Sequence, residues 1–88
     1  MKIVPGFVVR EVGGKTLAVA TGATAKKFHG MITLSGSGKE IFEALREETT
    51  EEKIVDKLLE IYAVDRETAE SDVNRFVGEL RKAGLLVE

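Results

Sequence analysis

The sequence predicts an α+β fold in which a three-stranded antiparallel sheet is followed by three helices. Segments rich in β-branched and aromatic residues occupy much of residues 1–34, as is typical of strands. Beyond residue 35, apolar residues recur every three or four positions, which indicates helices with one buried face. At 88 residues the chain has room for one core, so we expect a single domain spanning 1–88.

The first two strands are predicted to form a hairpin from residues 7–12 and 15–20, because the intervening Gly13 and Gly14 can supply the positive φ angles of a tight turn. Residues 21–27 are small and polar and are interpreted as a loop or a ragged strand extension. A third strand is predicted at residues 30–34. Three strands cannot close a barrel, so at least one edge should keep unpaired N–H and C=O groups unless other elements cover it.

The first two helices are predicted from their capping signals. Ser37 with Glu40 resembles a capping box and opens a helix that runs to about residue 47. Thr49 with Glu52 repeats the pattern and opens a second helix that ends near residue 63. Each helix carries an apolar stripe, so both should pack against the sheet or against each other.

The third predicted helix is the longest and extends from a cap at Asp65 to a stop at Gly84. Its apolar positions at three- and four-residue spacing are Ala69, Val73, Phe76, Val77 and Leu80. These residues are expected to be mainly core. The apolar tail 85–87 is expected to pack back on the core.

Composition excludes several classes of function. The chain has no cysteine, so disulfides, thiolate nucleophiles and cysteine-ligated metals are excluded. Residues 1–39 carry a net charge of +5 and residues 40–88 carry −7, and an acidic helical half is a poor match to duplex DNA. We find no apolar run of membrane-spanning length and no secretory signal, and therefore predict a soluble, cytoplasmic protein.

The candidate chemical motifs are incomplete. The segment 35–39 lies between a strand and a helix, but a P-loop would require Gly and Ser or Thr where Thr33 and Glu40 stand. His29 is the one histidine, and its neighbours supply no partner for a metal or a catalytic base. The acidic pairs at 47–48 and 51–52 are interpreted as solvated residues at helix ends. We therefore predict no catalytic residue, no metal and no cofactor.

A groove should exist between the third helix and the open sheet edge. Asp72, Arg75 and Glu79 flank the apolar stripe of that helix, where they either face a bound peptide or form plain surface. The predicted peptide-binding residues are those of the third strand and of this helix flank: Gly30, Met31, Ile32, Thr33, Leu34, Asp72, Arg75, Phe76 and Glu79.

Several segments resemble the PqqD-like family, which are small leader-peptide recognition domains of ribosomal peptide-modifying pathways. They are PGFVVR at 5–10, ITLSGSGKEIFEAL at 32–45, TEEKIV at 50–55, YAVD at 62–65, DVNRFVGEL at 72–80 and GLL at 84–86. Their order and spacing cover nearly the whole chain. One departure is Ser35, where the family often has Asn; its hydroxyl can still cap a helix.

The resemblance implies a winged helix-turn-helix-like fold in which a precursor's leader peptide adds as a strand beside the third strand and lies against the third helix. It also implies a non-catalytic protein that presents the peptide to a separate modifying enzyme, often a radical SAM enzyme. The pathway, pyrroloquinoline quinone synthesis or another, stays open, as does the choice between a monomer and a strand-exchanged dimer. The alternatives are a DNA-binding winged helix and a structural docking subunit of an enzyme complex.

Overall fold

The computed structural model describes residues 1–28 and 30–88. His29, considered above as a candidate ligand or base, lies outside the described residues. The strands are β1 (Lys2–Ile3), β2 (Phe7–Val12), β3 (Lys15–Ala20), β4 (Met31–Thr33) and β5 (Leu86–Val87), and the helices are α1 (Gly22–Lys27), α2 (Gly38–Ala44), α3 (Glu51–Ile61) and α4 (Arg66–Lys82).

The main sheet has the order β2-β3-β4 and is antiparallel throughout. The predicted hairpin is confirmed, with φ of 58° at Gly13 and 80° at Gly14, the left-handed values that a tight hairpin turn requires. The third strand is confirmed within Met31–Thr33, where Ala18 of β3 pairs with Ile32. The predicted α+β class with a three-stranded antiparallel sheet is therefore confirmed, although the described residues contain four helices instead of three.

The additional helix is α1, where the sequence indicated a loop or ragged strand, and that interpretation was wrong. No residue of α1 is buried, so the segment lacks the apolar period by which helices are recognised. Side-chain hydrogen bonds to residues 5 and 6 hold α1 in place instead. The hydroxyl of Thr21 donates to the carbonyl of Gly6 at 2.9 Å, and that of Thr24 donates to the carbonyl of Pro5 at 2.6 Å.

Two of the three predicted helix caps differ in the structure. Ser37 makes no side-chain cap bond, because its backbone is already helical (φ −76°, ψ −7°), and Glu40 accepts a hydrogen bond from the Tyr62 hydroxyl at 2.8 Å instead of closing a capping box. The cap of α3 is Thr50 instead of Thr49, and its hydroxyl accepts from the amide of Lys53.

The ends of α4 agree with the sequence. The Asp65 carboxylate accepts from the amide of Thr68 at 2.7 Å, and Gly84 follows the helix with φ of 73°. The tail packs back as expected, because β5 pairs with β1 and the amide of Val4 donates to the carbonyl of Leu85 at 2.9 Å. The two ends of the chain thus form a small second sheet.

The core lies between the inner face of the main sheet and helices α2 to α4. Phe42, Ile41, Leu45, Ile54, Leu58, Val73 and Val77 are its largest fully buried side chains. In the part of the chain that the structure describes, no helix is both long and apolar enough to cross a lipid bilayer.

Candidate functional site

A groove of 490 Å³ separates β4 from α4. It is lined by residues of the β4 segment, the start of α2, α4 and the tail: Phe28, Met31, Ile32, Thr33, Ser35, Ser37, Gly38, Ile41, Asp72, Arg75, Phe76, Glu79, Leu80, Ala83 and Leu85. The sequence therefore anticipated the location of the groove. The volume of the groove lies in the range of known ligand pockets.

The β4 wall offers main-chain groups at an open strand edge. The amide of Leu34 donates to the carbonyl of Thr16 at 2.9 Å, which makes these two residues a hydrogen-bonded pair. Since such pairs alternate along an antiparallel ladder, Ile32 also directs its N–H and C=O toward β3. Met31 and Thr33 therefore direct theirs away from β3, toward the groove. An extended chain placed there can pair with both residues.

The side chains of β4 and of the next residue point alternately toward the solvent and toward the core. Ile32 packs against the core and Leu34 is buried within it, whereas Met31 and Thr33 are exposed. Two of the nine predicted site residues do not reach the groove: Gly30 is exposed outside its lining, and Leu34 lies in the core with its amide already bonded to β3. The other seven line the groove.

The α4 wall is formed by one face of the helix. Val73, Val77 and Leu80 are buried and hold α4 to the core. Asp72, Arg75, Phe76 and Glu79 follow at three- and four-residue spacing along the groove side of this stripe. Phe76 is partly buried, so its ring serves both the core and the wall.

The floor of the groove depends on close packing between α2 and α4. A Cβ atom added to Gly38 would lie 3.3 Å from Cε2 of Phe76, a separation tighter than most such contacts. Gly38 is buried and lines the groove with Ile41. The absence of a side chain at position 38 thus allows the ring of Phe76 to lie directly over the start of α2.

Phe28 closes one end of the groove and was not predicted. Its ring packs on the buried Phe7, with ring centroids 5.9 Å apart and planes tilted by 58°. The sequence carries a weak signal for it, an aromatic residue just before a strand, but its place beside α4 depends on the course of α1.

The charged side chains among the described lining residues are Asp72, Arg75 and Glu79, all on α4. A guanidinium nitrogen of Arg75, exposed over 72% of its side chain, donates to Asp72 at 3.5 Å, the outer limit of a hydrogen bond. Within residues 1–28 and 30–88, Glu79 forms no ion pair. The α4 wall therefore presents a weakly compensated acidic surface opposite an uncharged strand.

Two observations concern metal and phosphate binding. No cluster of three or more metal-ligating side chains occurs among the described residues. In segment 35–39, the incomplete P-loop considered above, the amide of Gly38 donates to the carbonyl of Ser35 at 3.0 Å. Lys39 of the same segment is exposed and lies outside the groove lining. An open strand edge, aromatic side chains and a charged helix face are features of surfaces that bind extended peptides.

Comparisons with known proteins agree with this geometry. A family model described as "Coenzyme PQQ synthesis protein D (PqqD)" matches residues 10–86. The solved structure described as "TbiB1 in Complex with the TbiA(beta) Leader Peptide" is similar with a TM-score of 0.71 and 28% sequence identity, over 98% of this chain and 94% of that one. Among curated proteins, none matches this sequence.

Proposed function

Because the chain belongs to the PqqD family, we propose that it binds the leader segment of a ribosomally made precursor peptide and holds it for a separate modifying enzyme. The observation that carries this proposal is the groove beside β4, where Met31 and Thr33 direct main-chain groups outward. The similar structure of TbiB1, a complex with a leader peptide, supports it.

The binding mode is strand addition. The leader lies along β4 and exchanges N–H and C=O hydrogen bonds with Met31 and Thr33. Its alternate side chains point into the groove, toward Phe76 and the apolar side chain of Ile32. Main-chain bonds fix the direction and register of the peptide, and the groove selects among side chains.

The charged residues of α4 act at the rim. Asp72 and Glu79 favour a leader with a Lys or Arg side chain on the α4 side, and Arg75 lies between them. Rim charges of this kind mainly steer encounter and exclude wrong partners, because solvent screens them.

Leader-binding proteins of this family are generally non-catalytic. The enzymatic partner we propose is a modifying enzyme such as a radical SAM protein. By holding the leader, the chain raises the concentration of the precursor's reactive segment near that enzyme, without any reaction of its own.

A first experiment locates the binding surface. Peptides are selected on the chain from a random library whose members are long enough to span the groove, and the selected peptides are titrated into the ¹⁵N-labelled chain. Strand addition predicts that the largest amide shifts occur at Met31 and Thr33 and along α4 from Asp72 to Glu79. Shifts confined to the exposed face of α3 would overturn the proposed site.

A second experiment tests the role. A precursor peptide and a modifying enzyme encoded beside this chain are combined with and without it, and modification is followed by mass spectrometry. We expect the chain to accelerate modification of the whole precursor and to have no effect on a precursor without its leader. Equal acceleration of both would contradict a leader-binding role.

A further inference from the structure

A second cavity of 320 Å³ opens beside the groove and is lined by Val4, Pro5, Ala23, Thr24, Lys27, Phe28, Ala83, Gly84 and Leu85. Phe28, Ala83 and Leu85 line both spaces. Phe28 precedes β4 and Ala83 follows α4, so the second cavity continues the groove at the end where β4 begins and α4 ends.

The walls of this cavity are fixed by hydrogen bonds before any ligand arrives. Thr24 on α1 donates its hydroxyl to the carbonyl of Pro5, and the amide of Val4 donates to the carbonyl of Leu85. The amide of Leu85 in turn donates to the carbonyl of Leu80 at 2.9 Å. These donors are therefore already paired within the protein, and the lining side chains offer a ligand mainly methyl, methylene and aromatic surface.

Lys27 supplies the charged group of the lining. It is exposed, and the described residues contain no ion pair that involves it. Its neighbour Lys26 is exposed as well but does not line the cavity. The cavity therefore combines an apolar interior with one cationic group at its rim.

We infer that this cavity takes a second apolar side chain of the same leader peptide, one that lies outside the segment paired with β4 and is flanked by an acidic residue that meets Lys27. The inference rests on the proposed function and extends it from strand addition to a two-part grip. A chain leaving the edge of β4 at Met31 passes Phe28 directly, because the two spaces share that side chain. It also gives α1 a function, since Ala23, Thr24 and Lys27 form one wall.

Two anchors explain how a three-residue strand can select its partner. The edge of β4 exposes the main-chain groups of Met31 and Thr33 alone, a short segment with little sequence information. An apolar anchor beyond it requires a particular side chain at a fixed distance along the peptide. Peptides that lack this residue should then bind more weakly, although they still pair with β4.

The test uses the peptides selected on the chain from the random library. We expect them to share an apolar residue next to Asp or Glu outside the paired segment, and to shift the methyl signals of Ala23 and Thr24 as well as the amides of Met31 and Thr33. Replacing that apolar residue by Ser should weaken binding about tenfold, the order expected when one apolar side chain is no longer buried.

Variants of the chain supply matched controls. Ala23→Leu fills the cavity and should weaken the parent peptide about tenfold while leaving the Ser-substituted peptide unaffected. Lys27→Glu should weaken binding about threefold, because Lys27 lines the cavity. Lys26→Glu should leave binding unchanged, because Lys26 does not line it.

The outcomes separate the two proposals. Shifts at Met31 and Thr33 without shifts at Ala23 and Thr24 would overturn the second anchor and leave strand addition standing. Equal loss for the parent and Ser-substituted peptides in Ala23→Leu would also overturn it. Shifts at neither place would overturn the proposed function itself.

Discussion

Proline substitutions at adjacent positions of β4 should have opposite consequences. The N–H of Ile32 points to the carbonyl of Ala18 on β3, whereas that of Thr33 points to the groove. Ala18 is fully buried, so Ile32→Pro leaves a buried acceptor unpaired and should destabilise the fold by about 1–3 kcal/mol, before any loss from the Ile32 side chain. This is a substantial share of the roughly 5–15 kcal/mol that stabilises a small domain.

Thr33→Pro breaks no bond to β3, and proline is tolerated at strand edges. We expect its unfolding free energy to stay close to that of the parent. It removes one donor to the peptide, a net loss of about 0.5–1.5 kcal/mol, which corresponds to roughly 2- to 12-fold weaker binding. Thr33→Val is the matched control, because it keeps the N–H, loses the hydroxyl and retains β-branching.

Urea unfolding gives the stabilities and isothermal titration with a selected peptide gives the affinities. We expect Ile32→Pro to lower stability more than Thr33→Pro does, and Thr33→Pro to weaken binding more than Thr33→Val does. Parent-like affinity in a folded Thr33→Pro would refute strand addition at β4. Equal destabilisation by the two prolines would refute the assignment of the outward-facing groups.

Three further variants test other parts of the structure. Gly78→Ala in α4 places a Cβ where nothing lies within 4 Å, so it should raise stability by about 1 kcal/mol, and thermal unfolding should occur roughly 4–8 °C higher. Gly38→Ala should instead displace the Phe76 ring toward the groove and weaken peptide binding, with stability as the control measurement. The hydrogen bond to Glu40 raises the pKa of Tyr62 above its ordinary value of 10.0. The stabilisation of the fold by this hydrogen bond is therefore complete below pH 10 and is lost as the pH rises through the raised pKa. The stability difference between the parent and Tyr62→Phe should therefore shrink above pH 10, and a constant difference would contradict this.

The elements predicted from sequence were those whose signals are local. Gly13 and Gly14 define a tight turn without reference to the rest of the chain. Asp65 and Gly84 likewise bound α4 through bonds within a few residues. The groove followed from combining these elements with the observation that a three-stranded sheet has open edges.

The parts that sequence did not predict depend on distant contacts. α1 is held by hydrogen bonds from the hydroxyls of Thr21 and Thr24 to the carbonyls of Gly6 and Pro5, which lie 15 and 19 positions earlier in the chain. Pairing with β3 determines which N–H groups of β4 face outward, and the sequence of residues 30–34 does not show that the N–H of Ile32 faces β3. Gly38 belongs to the segment between the predicted third strand and the first predicted helix, and its close approach to Phe76 appears only when α2 meets α4.

The edge of β4 cannot by itself account for tight binding. Met31 and Thr33 offer one N–H and one C=O each, and at about 0.5–1.5 kcal/mol per hydrogen bond their sum is roughly 2–6 kcal/mol. Ordering two molecules into a complex costs an estimated 4–15 kcal/mol or more, so main-chain bonds alone leave little or no net affinity. The surplus has to come from apolar burial along Phe76 and Phe28. The side chains that the peptide places in the groove, more than its pairing with β4, should therefore decide which peptide this chain binds.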